Sequence, residues 1–489
     1  MKSNVSYENA AQAIVNRFAE LGFTIELEKI VAGDTVTRYL FSYLPEKLNM
    51  HRIQSFLDDI RVCLDKNNIM LYESSDGKNV FAVEVASDER RLVDLKELLD
   101  SPEFKNANGK LSFIMGRDVE GNVVVADLAQ MPHLLIGGTT GSGKSIFING
   151  IIASLMAKYP PEYLRFIIVD SNGVEMSRYN GSPYLLTTDV VTESADTLAA
   201  MDYLVSEMER RYETFCQCGA RSIADYNEKA AENSVQKLPY LVLMVDELAY
   251  IAADNKKAFE NKLIRLAQKS RASGIHVVLA TQRPTVDVIS GTIKANMPCR
   301  VAFKVFSPYD SRAILDDIGA ENLIGRGDML FSDPSKLGFT RIQGAYVCEE
   351  DLCSFVKRSI EEKGVYYDPS VCEAVFVTNK SVKKEAPVKN FGSASDVKQA
   401  EKSNGWAADD LEPYYKKALK YWLERNGGKA SISSLQRGLM VGFNRAGRIM
   451  EELQKMGYVE TLSNDSGINK QLNVLVSLDD LDKLFPDVD

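Results

Sequence analysis

The run from Gly138 to Ser145, Gly-Thr-Thr-Gly-Ser-Gly-Lys-Ser, leaves the backbone few courses to follow. It comes after the apolar His133-Leu134-Leu135-Ile136 and before Ile146-Phe147-Ile148-Asn149-Gly150-Ile151-Ile152, an order that predicts strand, glycine-rich turn and helix. A triphosphate needs several N–H groups aimed at its oxygens, and only glycines let the chain approach closely enough to supply them. Gly138, Thr139, Thr140, Gly141, Ser142, Gly143, Lys144 and Ser145 are therefore the expected cradle for ATP. Lys144 is placed to reach the β and γ phosphates, and the Ser145 hydroxyl to complete the shell of a Mg²⁺ ion.

A chain of 489 residues exceeds one ordinary domain and should divide into about three. A formal charge of −10 excludes a protein coated in basic residues, so any nucleic-acid contact is confined to a channel or to one small domain. The 7 cysteines are scattered and odd in number, which fits free thiols in a reducing cytosol. Cys216-x-Cys218 has no second pair at metal spacing, and 3 histidines leave little room for histidine-based chemistry. No signal peptide is visible at the start. The longest apolar run, Leu238 to Ala253, is interrupted by Asp246-Glu247, so it predicts a buried strand with an acidic end in a soluble, cytoplasmic protein.

Residues 1–108 alternate helical and strand-like stretches and read as a small α+β domain. From 109 to 377 strands alternate with helices, the pattern of a parallel sheet covered on both faces. Residues 378–410 lose periodicity around Pro387 and read as a flexible linker. From 411 to 489, helical stretches followed by two strands predict a winged helix-turn-helix. Between Glu412 and Glu460 it carries nine Lys/Arg against five Asp/Glu, and Asn444, Arg445 and Arg448 fall at the start of its expected recognition helix. A winged helix used only for protein docking is the alternative. The fold class expected is α/β: a RecA-like P-loop ATPase core with a small N-terminal α+β domain and a C-terminal winged-helix domain.

Ligands of open α/β sheets bind at the carboxyl ends of the strands. Asp246, ending the strand Leu241 to Val245, should lie beside the phosphate loop and hold Mg²⁺, directly or through a water; Glu247 should align or deprotonate the attacking water. The plainer reading is a solvated Asp-Glu pair at a strand end. Gln282, uncharged at the end of the strand Ile275 to Ala280, is suited to sense the γ-phosphate or the lytic water, against a merely local backbone role. Arg265, Arg271, Arg283, Arg300 and Arg312 cluster in this half, and a ring ATPase needs one of them to reach a neighbour's γ-phosphate.

Several long motifs resemble one family. Ala126 to Leu135 running into the phosphate loop, Glu207-Met208-Glu209-Arg210-Arg211-Tyr212, Val245-Asp246-Glu247-Leu248-Ala249, Leu279 to Pro284 and Gly325-Arg326-Gly327-Asp328-Met329-Leu330 look like the FtsK/SpoIIIE DNA translocases. Residues 1–108 resemble that family's α domain, and Ile432 to Met450 its sequence-reading γ domain. The resemblance implies a homo-hexameric ring around double-stranded DNA, with ATP sites between subunits; chromosome partition, sporulation and transfer of a mobile element are the settings it leaves open. It implies Arg283 and Lys294 on loops facing the DNA backbone, Arg271 completing the neighbouring ATP site, and Asn444, Arg445 and Arg448 reading short orienting sequences. A site-specific recombinase is the further partner it suggests for the winged helix.

Three departures accompany it. The family's membrane-spanning amino-terminal region is not in this sequence, which bears on septum anchoring. Its Asp-Pro-Lys is here Asp170-Ser171-Asn172, with Glu175 kept, and Pro308 stands at a basic position. Two rivals frame the expectation: a related ATPase that moves protein in a secretion system, and an ATP-gated DNA-binding regulator.

Overall fold

The computed structural model describes residues 2–66, 68–73, 79–87, 90–336, 338–364, 367–378, 412–425, 429–430, 449–450, 453–462 and 471–476. The chain divides into two compact units, Met1–Lys383 and Lys384–Asp489. The linker expected at 378–410 lies, apart from residue 378, outside the described residues.

The first unit begins with α1 (Lys2–Glu20), β1 (Ile25–Ala32), β2 (Val36–Tyr43), α2 (Met50–Ser55), α3 (Leu57–Leu64), β3 (Ile69–Glu73) and β4 (Val80–Ala86). The strands form an antiparallel sheet in the order β1-β2-β4-β3. Ala11, Ile14 and Phe18, at helical spacing on α1, bury against Phe41, Phe81 and Val83 of the sheet. Two short helices, α4 (Leu95–Leu99) and α5 (Pro102–Lys105), lead onward, each opened by a capping side chain, Asp94 and Ser101.

The larger sheet has nine strands in the order β6-β5-β13-β12-β11-β7-β10-β9-β8. Its members are β5 (Ser112–Asp118), β6 (Val123–Asp127), β7 (His133–Gly137), β8 (Leu164–Val169), β9 (Tyr240–Val245), β10 (Ile275–Thr281), β11 (Cys299–Phe303), β12 (Asp328–Ser332) and β13 (Thr340–Gly344). Between them run α6 (Lys144–Lys158), α7 (Ser194–Cys218), α8 (Ile223–Glu232), α9 (Leu248–Ser273), α10 (Gly291–Asn296) and α11 (Pro308–Leu315); α12 (Glu349–Lys363) and α13 (Pro369–Val375) follow. The expected parallel sheet is thus corrected to a mixed one. Strands β8, β9, β10, β7 and β11 are parallel, whereas β12, β13, β5 and β6 are antiparallel. The β5–β6 and β12–β13 connections are too short for a crossover, and a short turn yields only an antiparallel pair.

Alternation along β7 explains the layering. Leu134 and Ile136 face one core with Phe147, Ile148 and Ile151 of α6. Leu135 faces the other, with Leu204 and Met208 of α7 and Leu263 and Leu266 of α9. Both faces are covered, so the functional groups emerge at the strand ends.

A buried charge cluster joins the two sheets of this unit. Arg341 on β13 donates to Asp328 on β12 through Nε (2.9 Å) and Nη2 (2.6 Å), and to Glu84 on β4 through Nη1 (2.9 Å). Glu84 also accepts from Arg38 and from the Tyr72 hydroxyl. Burial alone would raise Glu84, but Arg341 and Arg38 outweigh it and hold the carboxyl below its ordinary value.

In the second unit α14 (Glu412–Arg425) buries Tyr415, Leu419 and Trp422 against Ile449 and Leu453. Strands β14 (Lys429–Ala430), β15 (Val459–Leu462) and β16 (Gln471–Val474) pair antiparallel in the order β14-β16-β15. Among the described residues no helix is long and apolar enough to cross a membrane.

Candidate nucleotide site

The turn between β7 and α6 is held open by its neighbours. Gly138 donates its N–H to Thr281 O (3.2 Å) and Thr139 to Lys304 O (3.0 Å), so the loop is seated on the ends of β10 and β11. Gly143 has φ +115°, and a Cβ there would stand 2.5 Å from the Gly327 nitrogen. Both the backbone conformation and the close approach therefore require glycine. No side chain caps α6, so its first-turn N–H groups and the positive end of its dipole stay available to an anion.

Lys144 and Asp246 meet directly. The ammonium donates to Asp246 Oδ1 at 2.6 Å and to its carbonyl at 2.8 Å, and both side chains are buried. Two of the three ammonium protons are thereby committed, leaving one for a phosphate oxygen. Burial, opposed by Lys144 but reinforced by Glu175 and Asp170, raises the Asp246 carboxyl above its ordinary value. Glu175 Oε2 is buried with no hydrogen-bond partner. An orphaned carboxylate oxygen beside a carboxylate of raised pKa is the environment a hard divalent cation would relieve, and the oxygen donors of Ser145 and Asp246 suit Mg²⁺. The described residues include no group of three or more metal-ligating side chains.

Glu247 is fixed by three donors: the Ala249 N–H and the Thr281 hydroxyl at Oε1 (3.0 and 2.7 Å), and the Gln282 N–H at Oε2 (2.9 Å). The carboxylate caps α9 and sits at the junction of β9 and β10. Gln282 Oε1 in turn accepts from the Thr140 hydroxyl at 2.6 Å. The acid, the candidate sensor and the phosphate loop thus form one hydrogen-bonded chain.

The remaining expected residues are distributed elsewhere. Arg271 lies in the last turn of α9, beside the start of β10, at the opposite end of the sheet from its own phosphate loop. Arg283 is exposed and its side chain makes no hydrogen bond or ion pair among the described residues. Lys294, expected on a loop, stands instead in α10; Ser290 caps that helix, and the Lys294 ammonium bonds Asp316 and the Arg312 carbonyl. Asn444, Arg445 and Arg448 lie outside the described residues. Pro308 is the first residue of α11, where its missing N–H costs nothing and Ser307 and Asp310 close a capping box. Asp170 accepts from the N–H groups of Asn172 and Met176 and so shapes the turn that carries Glu175.

Sequence reasoning passed over the turn Gly325 to Gly327 as a structural part of the site. Gly327 donates to Ser142 O at 2.8 Å. Thr35, Arg91 and Tyr346 also line the cavity in front of the loop, and nothing in their local sequence signals it.

Comparison with known proteins identifies the family. Residues 94–286 match the FtsK/SpoIIIE family, residues 409–472 the FtsK gamma domain and residues 1–87 the FtsK alpha domain. The chain is 36% identical over 493 residues to DNA translocase FtsK 1 of Neisseria meningitidis serogroup A, covering 97% of this chain and 57% of that one. It is 39% identical over 478 residues to DNA translocase FtsK of Clostridium tetani, covering 97% and 60%. The chain therefore spans somewhat over half the length of these relatives. Among solved structures, the pCW3 conjugation coupling protein TcpA, in a monomer form with ATPγS, shares the fold with a TM-score of 0.50 at 21% identity, over 72% of this chain and 99% of that chain.

Proposed function

The chain belongs to the FtsK/SpoIIIE family, and from that premise we propose that it is the motor portion of an ATP-driven translocase of double-stranded DNA. The observation that carries the reading is the chain from Glu247 through Gln282 to Thr140, set beside the Lys144–Asp246 pair. It gives a water-activating carboxylate a direct link to the loop that holds the phosphates.

In this reading Gly138 to Ser145 bind the triphosphate, and Lys144 turns its remaining proton to the β and γ oxygens. Bound Mg²⁺, held by Ser145 and Asp246, would neutralise phosphate charge. Glu247 orients and deprotonates the lytic water, and Gln282 registers loss of the γ-phosphate. Arg271, remote from its own loop, completes the site of an adjacent protomer in a homo-hexameric ring. Arg283 and Lys294 contact backbone phosphates of the threaded duplex, Lys294 exchanging Asp316 for a phosphate oxygen. Such contacts allow movement over any sequence. Asn444, Arg445 and Arg448 of the winged helix read orienting sequences, and a site-specific recombinase is its further partner.

Triplex displacement tests this directly. The protein with ATP should strip a third strand from a long duplex, and Lys144→Ala or Glu247→Gln should abolish stripping. Hydrolysis stimulated by DNA with no displacement would favour an ATP-gated regulator instead.

A further inference from the structure

Asp316 ends α11 in the left-handed conformation, at φ +64°, with its N–H on the Arg312 carbonyl at 3.1 Å. Aspartate and asparagine adopt that backbone more readily than other residues that carry a Cβ. The turn brings the carboxylate to two cations from different elements. Oδ1 accepts from the Lys294 ammonium of α10, and Oδ2 from Nη1 of Arg300 at the start of β11.

The carboxylate is the outermost of the three groups. Its side chain is 59% exposed, against 18% for Lys294 and 14% for Arg300. Burial alone would raise the Asp316 carboxyl, but Lys294 and Arg300 outweigh it and hold the group below its ordinary value, so it is ionised at neutral pH. The guanidinium is also held without the carboxylate: Nε donates to Met297 O at 3.2 Å, Nη2 to Lys294 O at 3.1 Å and Nη1 to Ile314 O at 3.3 Å. Arg312, one turn before Asp316, is exposed, and its side chain makes no hydrogen bond or ion pair among the described residues. A single solvent-open anion thus lies across two positioned cations with a third beside it. A phosphodiester offers paired oxygens to the same donors.

We propose that Asp316 is an internal stand-in for a DNA phosphate: it occupies Lys294 and Arg300 until duplex displaces it, which makes Arg300 a further backbone contact and Asp316 the residue that limits affinity. Because each phosphate contact replaces an existing ion pair, only the difference between the two contributes to binding. That keeps the hold on duplex weak enough to be released at every step. The inference rests on the reading of the chain as a translocase that contacts duplex through Lys294, and the test separates the two.

Binding of the full chain with ATPγS to a long mixed-sequence duplex, read by fluorescence anisotropy over a series of salt concentrations, tests it. Asp316→Asn keeps the left-handed turn and an accepting oxygen but removes the charge. It should tighten binding about fivefold and steepen the slope of log affinity against log salt by about 0.9, the mark of one more phosphate neutralised. Asp317→Asn removes the same charge one residue on, from a side chain that accepts the Ile318 N–H instead of a cation, and should leave affinity within about twofold. Arg300→Gln added to Asp316→Asn should cancel the steepening. If Asp316→Asn changes nothing, or no more than Asp317→Asn does, or if Arg300→Gln leaves the steeper slope in place, the stand-in is wrong; Lys294→Ala weakening duplex binding in the same series would leave the DNA reading standing. If the unmodified chain binds no duplex, the DNA reading fails and the stand-in with it.

Discussion

Gly327 donates its N–H to the carbonyl of Ser142 at 2.8 Å, which splints the phosphate loop with the turn that precedes β12. The next residue, Asp328, is held by Arg341, and Arg341 reaches Glu84 in the amino-terminal sheet. The loop that would bind phosphate is thus braced from the amino-terminal sheet.

Arg341→Ala should destabilise the unit Met1–Lys383 by about 3–5 kcal/mol, because it leaves two buried carboxylates without their main partner. Urea denaturation followed by tryptophan-independent circular dichroism measures this. An Arg341→Ala midpoint equal to that of the unmodified chain would show that the cluster contributes nothing.

Gly143→Ala should abolish ATP binding. The new methyl meets the Gly327 nitrogen at 2.5 Å, and φ +115° is strained for any L-residue with a Cβ, at a cost of about 1–3 kcal/mol. Equilibrium binding of ATPγS checks it, with Gly150→Ala in α6, where a methyl meets nothing within 4 Å, as the tolerated control.

Glu247→Gln should keep ATP affinity but lower hydrolysis about 10²–10⁴-fold, the usual contribution of a positioned general base. The amide still accepts a hydrogen bond through its oxygen, so the geometry around Thr281 survives. Single-turnover hydrolysis of radiolabelled ATP reads the chemical step, and an unaltered rate would remove Glu247 from it.

Two buried histidines should make the unit Met1–Lys383 acid-sensitive. Burial depresses His133 to about 3, with His276 adding to the shift, and burial depresses His276 to about 4. His133 Nδ1 accepts the Val277 N–H, and its Nε2 lies 3.3 Å from the Ser270 hydroxyl, so the neutral ring ties β7, β10 and α9 together. Above pH about 6.5 both rings are neutral folded or unfolded, and the stability is fully present. Below it the unfolded chain takes up protons that the folded chain refuses, so stability falls towards pH 4. Urea midpoints measured from pH 7.5 to 4.5 should decline, and His133→Gln should flatten the slope.

The phosphate loop was legible because its glycines, lysine and flanking apolar runs are contiguous, and the Asp246-Glu247 end of β9 because the apolar run Leu241 to Val245 precedes it. The strand order was less so. Alternating helices and strands suggest a parallel sheet, but β5, β6, β12 and β13 carry the same apolar pattern and reverse direction only through turn lengths. Lys294 was expected on a loop, yet Ser290 caps a helix of six residues there. Glu84 and Arg341, separated by 257 positions, pair only because two sheets pack together, and no local pattern announces that.

Hydrolysis at this site should be coupled to duplex DNA. Steady-state ATPase measured with and without long linear duplex is the most direct test. The rate should rise steeply with duplex and fall to background in Glu247→Gln; a rate identical in the presence and absence of duplex would rule out the coupling.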